Sequence, residues 1–104
     1  MAIMDKYNTA SSEAGFDFRV NSSTNGGKLE FMVSAGLNGG TGRRNLLEST
    51  TAVNDNKWHY VVVVRDAGVS TKFYIDGVYK SDAGTNNAGD LSNTDTFGIG
   101  KNVY

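Results

Sequence analysis

The sequence predicts an all-β chain, an antiparallel β-sandwich of about eight strands. Three observations carry that prediction. Apolar and polar residues alternate with a period of two in several segments, the mark of a half-buried strand. Thirteen glycines in 104 residues sit among Asn, Ser and Thr between those segments, as turns require. No segment keeps apolar residues at i, i+3, i+4 and i+7 over three turns, so no helix is expected.

From Gly15 to Asn21, Phe16, Phe18 and Val20 share one face while Asp17, Arg19 and Asn21 share the other. A polar turn from Ser22 to Gly27 leads to Lys28–Ala35. There Leu29, Phe31, Val33 and Ala35 point inward, and Lys28, Glu30, Met32 and Ser34 outward. The two segments read as an antiparallel hairpin with one wet face. A shorter run, Arg44 to Glu48, follows a glycine-rich loop from Gly36 to Gly42. Lys57 to Arg65 does not alternate: apolar residues occupy both faces, so this strand is expected to be buried on both sides or to line a groove. Thr71–Ile75 and Val78–Lys80 flank Asp76-Gly77, a pair that selects a type I′ hairpin turn because both central residues need positive φ. A long loop, Ser81 to Asp95, precedes a last strand around Thr96–Gly100. Such a succession of strands folds as a sandwich or a jelly roll.

Composition narrows the function classes. The length suits one domain, residues 1–104, and 38% hydrophobic against 20% charged residues argues for a folded core rather than a disordered tail. Ten basic and 11 acidic residues give a net charge of −1, so no basic footprint for nucleic acid or anionic lipid exists. The absence of cysteine excludes disulfides and thiolate zinc sites, and a single histidine, His59, excludes a multi-histidine metal site. No apolar run approaches the ~20 residues that span a bilayer, so no membrane insertion is expected. The start, Met1 to Lys6, lacks the apolar stretch of a signal peptide.

The segment Asn54-Asp55-Asn56-Lys57-Trp58-His59-Tyr60-Val61-Val62-Val63-Val64-Arg65, followed by Lys72-Phe73-Tyr74-Ile75-Asp76-Gly77-Val78, resembles the laminin G-like, concanavalin A-like lectin and glucanase jelly-roll family. In that family a Trp-His strand runs into an apolar-Tyr-apolar-Asp-Gly hairpin. Ile3–Tyr7, Gly15-Phe16-Asp17-Phe18, Lys28-Leu29-Glu30-Phe31 and Phe97-Gly98-Ile99-Gly100 fit the same order. The resemblance covers most of the chain and rests on framework motifs, which speak to fold more than to function. It implies a secreted or cell-surface setting and a non-catalytic binding module for a glycan or an extracellular protein. Family members carry a further strand at each end. By that pattern this chain is expected to be either a minimal member or a fragment of a longer protein without the terminal strands, and the sheet edges so exposed imply pairing with a second copy.

Several residues are candidates for chemistry. Glycoside hydrolysis needs two carboxyl groups close together, yet Glu13, Glu30 and Glu48 are isolated in sequence and no Glu-x-Asp-x-x-Glu pattern occurs. The chain is therefore expected not to be an enzyme. His59, alternating with Val61 and Val63, reads as a buried, hydrogen-bonded imidazole, with a ligand role as the alternative. Trp58 and Tyr60 fall on the opposite face of that strand, and Tyr74 shares a face with Tyr60. Tyr60 and Tyr74 are the expected platform for a sugar ring, unless loops or a partner cover them. In the long loop, Asp82 and Asp90 offer oxygen ligands of the kind calcium takes, and Asn86 and Asn87 offer hydrogen bonds to a ligand. The same residue types also build any solvated turn.

Overall fold

Two antiparallel sheets carry the chain in a computed structural model that describes residues 1–7, 14–21, 26–35, 44–82 and 91–101. The strands are β1 (Ala2–Lys6), β2 (Ala14–Val20), β3 (Lys28–Ala35), β4 (Arg44–Ala52), β5 (Val61–Asp66), β6 (Ser70–Ile75), β7 (Val78–Asp82) and β8 (Gly98–Ile99). One sheet runs β4-β3-β2-β1-β8 and the other β5-β6-β7. No helix occurs among the described residues, so the all-β sandwich expected from the alternation is what forms.

The core lies between the sheets. β2 and β3 pair in the register Phe18↔Phe31, and β3 and β4 in the register Phe31↔Leu47. That register stacks Phe18, Leu29, Phe31, Val33 and Leu47 on one face, against Phe73 and Ile75 of the small sheet. Phe18 and Phe31 meet edge to face at 6.3 Å, a geometry that aromatic quadrupoles favour. β8 returns beside β1, with Met4 opposite Ile99 and Gly100 N–H donating to the Ile3 carbonyl at 2.9 Å.

The β2–β3 hairpin departs from expectation on its second face. Glu30, Met32 and Ser34 are buried, as are Asp17 and Asp5 on the neighbouring strands. Alternation cannot distinguish a solvated charge from a paired one, and here the charges are paired. Arg19 Nε donates to Glu30 at 2.7 Å, and its Nη1 lies 3.1 Å from Asp17. Asn21 donates to the other Glu30 oxygen. The face is polar in composition but not wet.

Two bulges join the sheets along one side. Between the pairs Lys28↔Ala52 and Glu30↔Glu48 the register of β3 and β4 slips, leaving Leu29 opposite extra residues. Ser49 repairs the gap: its Oγ accepts the Leu29 N–H at 3.0 Å and donates to the Thr51 carbonyl at 2.8 Å. β6 and β7 slip between Phe73↔Ser81 and Tyr74↔Tyr79, which takes Lys80 out of register. The Lys80 carbonyl then accepts a hydrogen bond from Thr50 Oγ1 of β4 at 2.7 Å, tying one sheet to the other.

Strand limits also shift. β4 runs on to Ala52, past the expected Glu48, and β7 extends to Asp82, so Ser81 and Asp82 belong to a strand rather than to a loop. β5 begins at Val61, not Lys57, and is not buried on both faces: Val61 to Val63 are half-buried and Val64 is exposed. The reason is the partner. Val61 pairs with Ile75, after which β6 turns at Asp76-Gly77, so residues before Val61 have no strand to pair with.

Candidate functional site

The segment between β4 and β5 is held at both ends. Val53 N–H donates to the Gly27 carbonyl at 2.9 Å, and Asn54 packs so closely on Gly27 that an added Cβ there would lie 2.1 Å from its Cγ. With φ at +80° as well, only glycine suits position 27. The other end meets the β6–β7 turn. Asp76 (φ +54°) and Gly77 (φ +78°) adopt the positive angles that a type I′ turn needs, as the Asp-Gly pair predicts.

Within this frame His59 sits between two carboxylates. Its Nδ1 lies 2.8 Å from Asp76 Oδ2, and its Nε2 lies 2.8 Å from Asp55 Oδ1. Asp55 Oδ1 also accepts the Lys57 N–H at 3.1 Å, which closes a small turn around Asn56 (φ +63°). Asp76 Oδ1 accepts the Tyr60 N–H at 2.9 Å, and Asp76 N–H donates to the Tyr60 carbonyl at 2.7 Å. Three bonds thus fix Asp76 to residues 59 and 60.

Electrostatics match the geometry. A neutral imidazole has one donor and one lone pair, so it satisfies one carboxylate and repels the other, whereas an imidazolium donates to both. The bond to Asp55, and then that to Asp76, raises the His59 pKa above its ordinary 6.5. The same His59 bonds hold Asp55 and Asp76 below their ordinary 3.8, each helped by a backbone N–H, from Lys57 and Tyr60 respectively. His59 is hydrogen-bonded as expected and its side chain is only 15% exposed, but it precedes β5 rather than lying within it.

The rings on either side of His59 are both exposed, unlike that of Tyr74. Trp58 is fully exposed, at 101% of its reference surface, and Tyr60 is 72% exposed. Tyr74 is half-buried, opposite Val62 in register, and its ring meets Tyr79 at 5.7 Å in an edge-on contact. Among the described residues no ring contact joins Tyr60 to Tyr74. Asn86, Asn87 and Asp90 lie outside the described residues, while Asp82 closes β7 opposite Lys72. Among the described residues no group of three His, Asp or Glu side chains is placed to hold a metal. Asp17 and Glu30 are buried and locked to Arg19, whereas Asp55 and Asp76, which His59 brings together, are exposed.

Sequence reasoning missed Asp55 and Asp76 as partners of His59. The Asp at i−4 was a signal within reach, but the pairing of 59 with 76 appears only once the β5–β6 register is known.

A family model described as the concanavalin A-like lectin/glucanases superfamily, of laminin G type, matches residues 1–103. The chain belongs to that superfamily. No curated protein and no solved structure gives a match. Membership of this lectin/glucanase superfamily supports a binding module in general terms.

Proposed function

We propose that the chain is a non-catalytic glycan-binding module whose platform is Trp58, with Tyr60 beside it. One observation carries the reading: two large aromatic rings stand in water on a backbone that is pinned in place. Leaving a tryptophan exposed forgoes roughly 3 kcal/mol or more of burial, which a sugar's apolar face stacked on the ring would recover. Asp55, Asp76, Asn54 and Asn56 are all exposed on the same segment and its neighbouring turn, and their oxygens suit sugar hydroxyls. Tyr74, half-buried against Tyr79, is the weaker half of the pair expected from sequence. The superfamily setting goes with a secreted or cell-surface location.

A glycan array, run in calcium and again in chelator, identifies a ligand, and calorimetry then compares variants. Trp58→Ala is expected to weaken binding about 30-fold or more, as loss of a central aromatic anchor does, and Tyr60→Ala less. Unchanged affinity in Trp58→Ala would remove the platform from consideration. Binding lost only in chelator would move attention to calcium at Asp82 and Asp90.

A second reading has its own observation. Val64, Val78 and Tyr79 are exposed on the small sheet, and among the described residues no strand pairs with the outer edge of β5. Silence on the array from folded protein, together with a mass that rises with concentration in sedimentation, would assign these surfaces to a protein partner or a second copy.

A further inference from the structure

We propose that His59 is a proton-controlled latch on the Trp58–Tyr60 platform: the imidazolium ties Asp55 to Asp76 and rigidifies the platform, and loss of its proton releases one end. The effect on binding rests on the glycan reading above, but the latch itself does not.

The geometry makes the switch discrete. Both ring nitrogens face carboxylate oxygens at 2.8 Å, so the bridge needs two N–H donors, and only the charged ring has two. After deprotonation one nitrogen presents a lone pair to a carboxylate, and that contact turns repulsive. Opening at the Asp55 end leaves the turn closed only by the Lys57 N–H. Opening at the Asp76 end leaves the Tyr60 N–H as the one side-chain contact from that carboxylate to the segment. Either way Trp58, which lies between the two anchors and makes no ring contact among the described residues, loses one of the two His59 bonds that brace its segment.

The charged groups facing the ring, among the described residues, are Asp55 and Asp76, with Lys57 Nζ 3.9 Å behind Asp55. Lys57 is exposed. Because its partners raise the His59 pKa, the latch is fully closed below 6.5 and opens as pH rises through the raised value. Asp55 and Asp76 have lowered pKa values, so the bridge also fails as pH falls through them, below 3.8. The closed state occupies the window between. A binding module with this latch holds its ligand in mildly acidic surroundings and loosens it in alkaline ones.

The chain offers an unambiguous test because it has one histidine and one tryptophan. Proton NMR of the imidazole gives the titration midpoint, and 15N relaxation of the Trp58 and Tyr60 amides gives backbone order on either side of it. The midpoint is expected above 6.5. Trp58 order parameters should fall from about 0.85 to below about 0.6 as pH crosses it. His59→Gln, which donates to one carboxylate at most, should leave Trp58 mobile at every pH while far-UV circular dichroism stays that of the native sandwich. Asp55→Asn keeps a hydrogen-bond acceptor but removes its charge, and should move the midpoint back toward 6.5. A midpoint at or below 6.5, or amide order that ignores it, overturns the latch.

The array-identified glycan, titrated at both pH values, should bind on the order of fivefold more weakly above the midpoint, as the competent fraction falls. Flat affinity across a moving platform overturns the regulation of binding. A platform that loosens with His59 while no glycan binds at either pH keeps the latch and removes the glycan reading.

Discussion

Arg19→Met is expected to destabilise the fold by about 3 kcal/mol at neutral pH, because it strands two buried carboxylates. Asp17 and Glu30 are 1% exposed at the side chain, and Arg19 bridges them at 3.1 Å and 2.7 Å. Breaking such a bridge from one side costs about 3–5 kcal/mol, and the low end applies because Arg19 is itself 33% exposed and partly screened. Glu30 keeps the Asn21 donor, but Asp17 Oδ1 has no hydrogen-bond partner even in the native fold.

The pH dependence is diagnostic. Burial raises the Asp17 pKa above 3.8, Arg19 opposes that rise, and Asp5 and Glu30 add to it. A carboxyl raised in the folded state stabilises the fold while protonated, below 3.8, and that contribution is lost as pH rises through the raised value. Without Arg19 only the weaker pull of the N-terminal ammonium opposes the rise, so the variant should recover stability on acidification. Urea unfolding at about pH 7 and about pH 5 should show the gap to the native protein narrowing. An equal gap at both values would mean that methionine disturbs packing and that the charges are irrelevant.

The same residues show what was legible in the sequence. Phe73, Tyr74 and Ile75 alternate, and Phe73 and Ile75 are buried while Tyr74 is not, because β6 is flanked by strands and faces the core with one side only. Asp76-Gly77 specifies its own turn, since the constraint on φ is local. Glu30 was misread for the opposite reason. Its burial depends on Arg19, 11 residues away and brought alongside only by the hairpin register Arg19↔Glu30. The Trp-His-Tyr segment was read as strand because its apolar residues continue the valine run. Its end is set by where β6 turns, which is information held in another part of the chain. For the same reason Tyr60 and Tyr74, alike by parity, differ in exposure: one lies beyond the ladder, opposite the turn, and the other lies within it.

Phe73→Ala is the change expected to cost most, about 3–5 kcal/mol, a large share of the 5–15 kcal/mol that holds a typical domain. Phe73 is fully buried, and with Ile75 it supplies the small sheet's buried apolar contribution to the core. The large sheet brings Phe18, Leu29, Phe31, Val33 and Leu47, so a cavity at Phe73 falls where the thinner layer has little to fill it. Phe73→Leu retains most of the volume and should cost about 1–1.5 kcal/mol. Native-state hydrogen exchange should locate the loss. Amides of β5 and β6 should lose more protection than those of β2 and β3, which lie inside the five-stranded sheet. Equal loss in both sheets would instead mark the sandwich as one cooperative unit, with no separate opening of the small sheet. The distinction bears on the candidate site, because Asp76 follows Ile75 directly and places Tyr60 through one side-chain and one backbone hydrogen bond. A small sheet able to open by itself would release the Trp58–Tyr60 platform without unfolding the rest, a second route to the mobility that His59 controls by its proton.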